Sequence, residues 1–242
     1  MWLPLKLLDN ASTCPICGHK SRAMLKVGHD VEVLQANEVI GAGVRYVKCI
    51  WCSSTDRDRL VYLYLKEHCA VYKQDNLKIL HIAPERCLSK VLRKRTPNGY
   101  VPADINTGKY WYINGMTKVD ITRMHYDDSS FDIILCNHVL EHIPDDKTAI
   151  SELYRVLRPA GIAILQVPIA AGKASTIEKS TALSPTEQLQ LYGQKDHVRL
   201  YGQDYTERLK MTGGKVHIIS LADRYPGCGL HPKEQLFVLE KL

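Results

Sequence analysis

Residues 119–169 read VDITRMHYDDSSFDIILCNHVLEHIPDDKTAISELYRVLRPAGIAILQVPI, and this stretch decides the fold class. An acid, Asp120, stands at a strand end and is followed by a polar loop. The apolar run FDIILC then ends in the turn Asn137–His138. An amphipathic helix over DDKTAISELYRVLRP stops at Pro159, because proline lacks an N–H and clashes with the preceding turn. AGIAILQVPI follows as another apolar strand. Strands that are apolar throughout, alternating with helices, predict a mostly parallel sheet covered on both faces.

The same alternation extends in both directions. Upstream, LKILHIA (77–83) is a strand running into the helix PERCLSKVLRK, with Pro84 suited to its first turn. GYVPADI is a second strand ending at Asp104, and TKVDI a short third one. RDRLVYLYLKEHCAVY places Leu60, Leu63, Tyr64 and Val71 on one helical stripe, with Thr55 or Asp56 as its cap. Downstream, residues 170–200 form a polar stretch long enough for a lid or binding loop. YTERLKMTGG is a helix stopped by glycines. KVHIISLA and EQLFVLEKL are the last strands, expected to pair antiparallel. Seven strands result, in an α/β fold over residues 57–242, preceded by a small module over 1–56 in which VEVLQANEVI and GAG read as β structure with a turn.

The 242 residues suffice for one α/β core plus such a module. The net charge of +6 is spread along the chain, which disfavours nucleic acid as a partner without excluding it. No apolar run approaches the ~20 residues that cross a bilayer. MWLPLKLLDN, interrupted by Lys6, is too short for a secretory signal, so a cytoplasmic location is expected.

Eight cysteines in such a chain point to metal binding or buried thiols. Cys14 and Cys17 (CPIC) are separated by 31 residues from Cys49 and Cys52 (CIWC). Two residues between thiolates let each pair grip one ion, and two pairs complete a tetrahedral zinc site. Four thiolates leave no open coordination position, so the zinc would be structural. Cys69, Cys87, Cys136 and Cys228 are isolated and read as plain thiols.

The DI…SSFD stretch, the run HVLEHI and the turn LRPAG together resemble the second half of class I S-adenosylmethionine-dependent methyltransferases. The tail DHVRLYGQDYTERLKMTGGKVHII resembles them too, so the likeness covers roughly residues 75 to 242. It implies a Rossmann-like sheet and S-adenosylmethionine as cofactor. Asp104, with Ile105 beside it, would take the ribose hydroxyls. Asp120 would accept from the adenine amino group, Ile121 would pack on the ring, and Asn137 and His138 would line the methionine end.

The opening turn departs from the family, which carries an acid and then alternating glycines there. His81 holds the acid's place, and Ala83, Glu85 and Cys87 those of the glycines. Pro84 stiffens the turn, and Glu85 is placed to meet the cofactor's ammonium group. Methyl transfer to a hydroxyl or amine is helped by a general base, for which His197 in KDHVRLYG and His142 in LEHI are the candidates. DHVR also reads as a network holding the lid. Arg57 and Arg59 read as an exposed charged helix face or a cover for the cofactor, and Tyr192 and Tyr201 as pocket or packing residues. The expected reaction is methyl transfer to a small-molecule acceptor, such as a sugar or secondary metabolite. A catalytically inactive cofactor-binding or interaction module and a nucleic-acid or protein methyltransferase are the alternatives. Oligomeric state is left open.

Overall fold

The computed structural model describes residues 5–68 and 76–242. Cys69 and Val71 lie outside the described residues. The N-terminal part comprises β1 (Leu5–Thr13), β2 (Lys20–Val27), α1 (Glu32–Ala36), β3 (Val39–Ile40) and β4 (Arg45–Cys49). β1, β2 and β4 form an antiparallel sheet in that order. The expected strand at VEVLQA is instead the helix α1. Its alternating Val31 and Val33 suggested a strand, yet the buried anchor is Leu34.

Helix α2 (Asp56–His68) is capped by Thr55, whose N–H and hydroxyl both donate to Asp58 Oδ2, at 2.7 and 3.0 Å. β5 (Ile79–Ile82), α3 (Arg86–Arg95), β6 (Tyr100–Asp104), β7 (Thr117–Lys118), β8 (Phe131–Cys136), α4 (Asp146–Val156) and β9 (Leu157–Ile164) follow. Residues 170–200 are not an open loop. With Ile169 they carry β10 (Ile169–Ala170), β11 (Ile177–Glu178), α5 (Pro185–Tyr192) and β12 (Arg199–Leu200). The chain ends with α6 (Tyr205–Lys210), β13 (Lys215–Ile219) and β14 (Leu236–Glu240).

The main sheet has seven strands in the order β13-β14-β9-β8-β5-β6-β7, parallel except for β14, which is antiparallel to both neighbours. Its central strands feed both faces. Leu80, Ile82, Ile134 and Cys136 pack with Leu153 and Tyr205 on one side. Ile79, Ile133 and Leu135 pack with Leu60, Leu88 and Leu92 on the other. The strand order reverses between β5 and β8. The carboxyl ends there gather the turn after β5, Asp104 at the end of β6 and Asn137–His138 after β8 onto one rim, where open α/β sheets bind ligands.

Three local expectations change. The third strand is only Thr117–Lys118 and stops short of Asp120. β9 begins before Pro159, because a bulge takes up the LRPAG residues: Phe131 pairs with Leu157 and Ile133 with Ile162, while Ala160 adopts φ 60°. The arginines of α2 do not form an exposed face. Arg59 is fully buried and donates to the carbonyls of Ser54, Val47 and Gly229 at 3.0, 2.9 and 2.5 Å. It ties the N-terminal sheet to the loop before β14. Arg59→Leu would orphan three buried carbonyls and is expected to lower unfolding free energy by about 2–4 kcal/mol in a denaturant titration.

Candidate functional site

In the turn after β5, Ala83 adopts the left-handed backbone that glycine favours, with φ 50°. Its N–H donates to Ala103 O at 2.9 Å, locking the turn against β6. Pro84 is buried, and Glu85 is the N-cap of α3, though its side chain makes no cap. That carboxylate instead lies 2.7 Å from His81 Nε2 and accepts from Asn137 Nδ2 at 3.2 Å. His81 Nδ1 in turn meets Tyr100 Oη at 2.9 Å. Burial would raise the Glu85 pKa, but the hydrogen bond and charge of His81, then Asn137, outweigh it and hold the carboxyl below its ordinary value. A quarter of the Glu85 side chain is exposed, at 25%, against none of His81. His81 therefore does not touch a ligand; it positions Glu85.

Asp104 accepts from Asn106 N at 2.7 Å and from Tyr110 Oη at 2.8 Å, which leaves lone pairs free on both oxygens. Ile105 beside it is 60% exposed, an apolar side chain that a ring would cover. Asp120 is exposed, and hydrogen bonds from Thr122 Oγ1 and N hold its pKa below the usual carboxylate range. Ile121 belongs to the core and supports the rim from beneath. Asn137 Oδ1 is buried without a partner. Neither ring nitrogen of His138, a residue at φ 55°, makes a hydrogen bond among the described residues, though Nδ1 lies 3.4 Å from Glu141 Oε1. Unpaired buried polar atoms and a non-glycine left-handed residue both mark a place built for a ligand. With an ionised Glu85, these positions fit a cofactor with an ammonium end, a ribose and an adenine.

Next to His138 lies a cavity of about 220 Å³. The N-terminal part contributes Gly41, Arg45 and Arg57 to its wall, the sheet side His138, Glu141, His142 and His197, and α5 its last residue, Tyr192. β3 pairs with β10 across this junction, and Leu34 packs on Gly193, a left-handed C-cap where any side chain would collide with it. His142 and His197 stack edge to face at 4.6 Å, and His142 Nδ1 lies 3.2 Å from Asp196 O. Burial, and then the nearby His142, push the His197 pKa down to about 4, so its ring is neutral.

Burial raises the Glu141 carboxyl to about 8, against an ordinary 4.5, and the charges of Arg57 and Arg199 only partly offset it. The folded chain thus keeps a proton that the unfolded chain releases. Stability falls as pH rises from about 4.5 to about 8, then levels off. Glu141→Gln is expected to flatten that slope and to melt higher than the parent at alkaline pH. Part of the slope should survive through Glu234 and Asp58, raised by burial to about 7 and about 6. Melting temperatures across pH would show it.

The other predicted residues have structural roles. Arg199, 4% exposed, donates to the carbonyls of Leu140, Ile143 and Pro144 and to Glu178, linking the turn after β8 to the 170–200 segment. Tyr201 is buried, donating to Asp146 Oδ2 at 2.6 Å, and Tyr192 accepts from Lys179 N at 3.1 Å. Sequence reading missed the chain that links rim to module: His138 N donates to Gln166 O, Gln166 Nε2 to Glu234 Oε1 at 2.8 Å, and Glu234 pairs with Arg45, itself bound to Asp56 at 3.0 Å. Its members are dispersed over the chain, and no spacing betrays them.

At the other end of the module, Cys14, Cys17, Cys49 and Cys52 bring their sulfurs within 4.8 Å of one another. Cys14 and Cys52 are 3.6 Å apart, Cys17 and Cys49 3.8 Å. A tetrahedron with Zn–S of about 2.3 Å has S···S edges of about 3.8 Å. The two knuckles share one geometry: Gly18 N donates to Cys14 O and Ser53 N to Cys49 O, with φ 77° and 62°. Ser54 Oγ lies 3.3 and 3.1 Å from the Cys14 and Cys52 sulfurs. The donor set and spacing fit a closed zinc tetrathiolate.

Residues 109–165 match the family model of a methyltransferase domain. A demethylmenaquinone methyltransferase of Streptomyces avermitilis is 30% identical over 96 residues, 36% of this chain and 41% of that protein, so the match spans less than half of the relative's length. The crystal structure of an S-adenosylmethionine-dependent methyltransferase from Mesorhizobium loti superposes with a TM-score of 0.53 at 12% identity, over 78% of this chain and 99% of that one. One from Archaeoglobus fulgidus gives 0.49 at 16% identity, over 78% and 96%. The matched segment is thus similar to a methyltransferase domain, and the strand order with the Mesorhizobium loti superposition gives the chain the fold of that S-adenosylmethionine-dependent enzyme, joined to an N-terminal four-cysteine module.

Proposed function

We propose that the chain transfers a methyl group from S-adenosylmethionine to a hydroxyl or amine of a small acceptor, with a structural zinc in the four-cysteine module. The observation that carries this reading is an ionised, partly exposed Glu85, bonded to Asn137, whose chain neighbour His138 lines the cavity. The bound cofactor supplies an electrophilic methyl group on a sulfonium. Glu85 holds its ammonium end, Asp104 its ribose and Asp120 its adenine, with Ile105 against the ring. The cavity would hold the acceptor beside the cofactor, where positioning would supply most of the acceleration. His197, neutral and seated in the cavity wall, takes the acceptor's proton, with His142 stacked against it.

Calorimetry on the zinc-loaded protein tests the core of this reading, since no binding of S-adenosylhomocysteine would end it. Binding without turnover across an acceptor library would favour an inactive module instead. For the base, His197→Gln is expected to lower kcat by about tenfold to a hundredfold, at the low end because so weak a base accepts a proton weakly. The base is lost only as pH falls through about 4, so the parent's rate should show no fall at the ordinary histidine value of 6.5. An acid limb near 6.5 would identify a different base.

A further inference from the structure

Resting on the methyltransferase reading, we infer that the acceptor carries an anionic oxygen group, a carboxylate or a phosphate, and that Arg57 binds it. The charges on the cavity wall do not balance. Arg45 is matched by Asp56 at 3.0 Å and Glu234 at 3.6 Å. Arg57 forms no ion pair among the described residues. Its one side-chain hydrogen bond there is from Nη1 to Gly41 O at 2.8 Å, and its Nε is buried with no partner. An unmet buried donor is costly, and a guanidinium fork with Nε and a second nitrogen free matches a two-oxygen anion.

Gly41 holds the guanidinium from the module side. On the same wall, Glu141 Oε2 and Nε2 of the half-buried His138, whose Nδ1 lies 3.4 Å from Glu141 Oε1, also make no hydrogen bond among the described residues. One ligand with an anionic end and hydroxyl or amine groups would satisfy all of these atoms. The cavity, about 220 Å³, is smaller than the roughly 300–1,000 Å³ of drug-sized ligand sites, so the acceptor part inside it is a single ring or a short chain. Glu141, His142 and His197 also bring donor atoms within 4.8 Å of one another, as a cation would need. The unpaired Arg57 on the same wall opposes a cation and favours an anion.

The test titrates inorganic phosphate and malonate by calorimetry into zinc-loaded protein saturated with S-adenosylhomocysteine. Binding by the parent, weakened about tenfold or more in Arg57→Gln and unchanged in Lys215→Gln on the exposed face of β13, is expected. Phosphate binding alone assigns a phosphorylated acceptor, malonate alone a carboxylic acid, and both the shared recognition. Should Arg57→Gln fail to fold, the imidazole resonances of His138 and His197 in the parent replace it, and they should move during the anion titration. No anion binding, equal binding by Arg57→Gln, unmoved imidazoles, or manganese bound in place of the anions would overturn the inference. If S-adenosylhomocysteine binds throughout, such a failure leaves the methyltransferase reading intact. If it does not bind, both fall.

Discussion

Glu85→Ala is expected to weaken S-adenosylhomocysteine binding about a hundredfold, because a charge-assisted hydrogen bond between carboxylate and ammonium is worth ~1.5–3 kcal/mol. The carboxylate is already aimed, by His81 Nε2 at 2.7 Å and Asn137 Nδ2 at 3.2 Å, so little ordering remains to be lost when the ligand arrives. Folding should change little, by ~1 kcal/mol or less, because the partly exposed position lets water replace the carboxylate beside His81. Glu85→Gln keeps the shape without the charge and should fall between parent and alanine. Calorimetry paired with a denaturant titration separates the two effects. Unchanged affinity would mean that the turn only packs, and that Asp104 and Asp120 hold the cofactor by themselves.

Stripping the metal is expected to have the largest effect. Structural zinc in small thiolate sites contributes ~10–16 kcal/mol of binding free energy that is also folding free energy. The β1-β2-β4 sheet has few other anchors: Leu5 and Leu7 on β1 are 49% and 70% exposed. A strong chelator, or Cys49→Ser, should therefore release the module while the seven-stranded sheet keeps its circular dichroism. The losses should spread, because Arg45 and the Gly41 loop wall the cavity and Arg59 binds Val47 O. Turnover should disappear before cofactor binding does. Metal content, melting temperature and S-adenosylhomocysteine affinity, followed together through chelation, check this order. An unchanged melting temperature would show that the cysteines hold no structural ion.

The central strands and the mostly parallel sheet were legible because strands such as FDIILC and LKILHIA are apolar on both faces. The left-handed Ala83 was not legible, since an alanine at a place usually held by glycine does not by itself announce a positive φ. The shielding of His81 was not, since one histidine in an apolar strand looks the same whether it faces a ligand or a tyrosine. Leu34 misled for a similar reason: a five-residue helix is too short to show its period against two alternating valines. The cavity could not have been read from the sequence, since its wall combines Arg57, Glu141 and Gly193, far apart in the chain and brought together by β3–β10 pairing.

Ala83 and Pro84 also bear on which adenosine compounds the crevice will admit. A dinucleotide's diphosphate settles on bare amides at a glycine-rich turn and the following helix end. Here the approach meets a methyl group, a pyrrolidine ring without an N–H and the negative charge of Glu85. An adenine and a ribose alone would not make a nucleotide welcome. On the proposed reading, nicotinamide and flavin dinucleotides, abundant and sharing that half, should be repelled by the turn that would draw in a sulfonium amino acid.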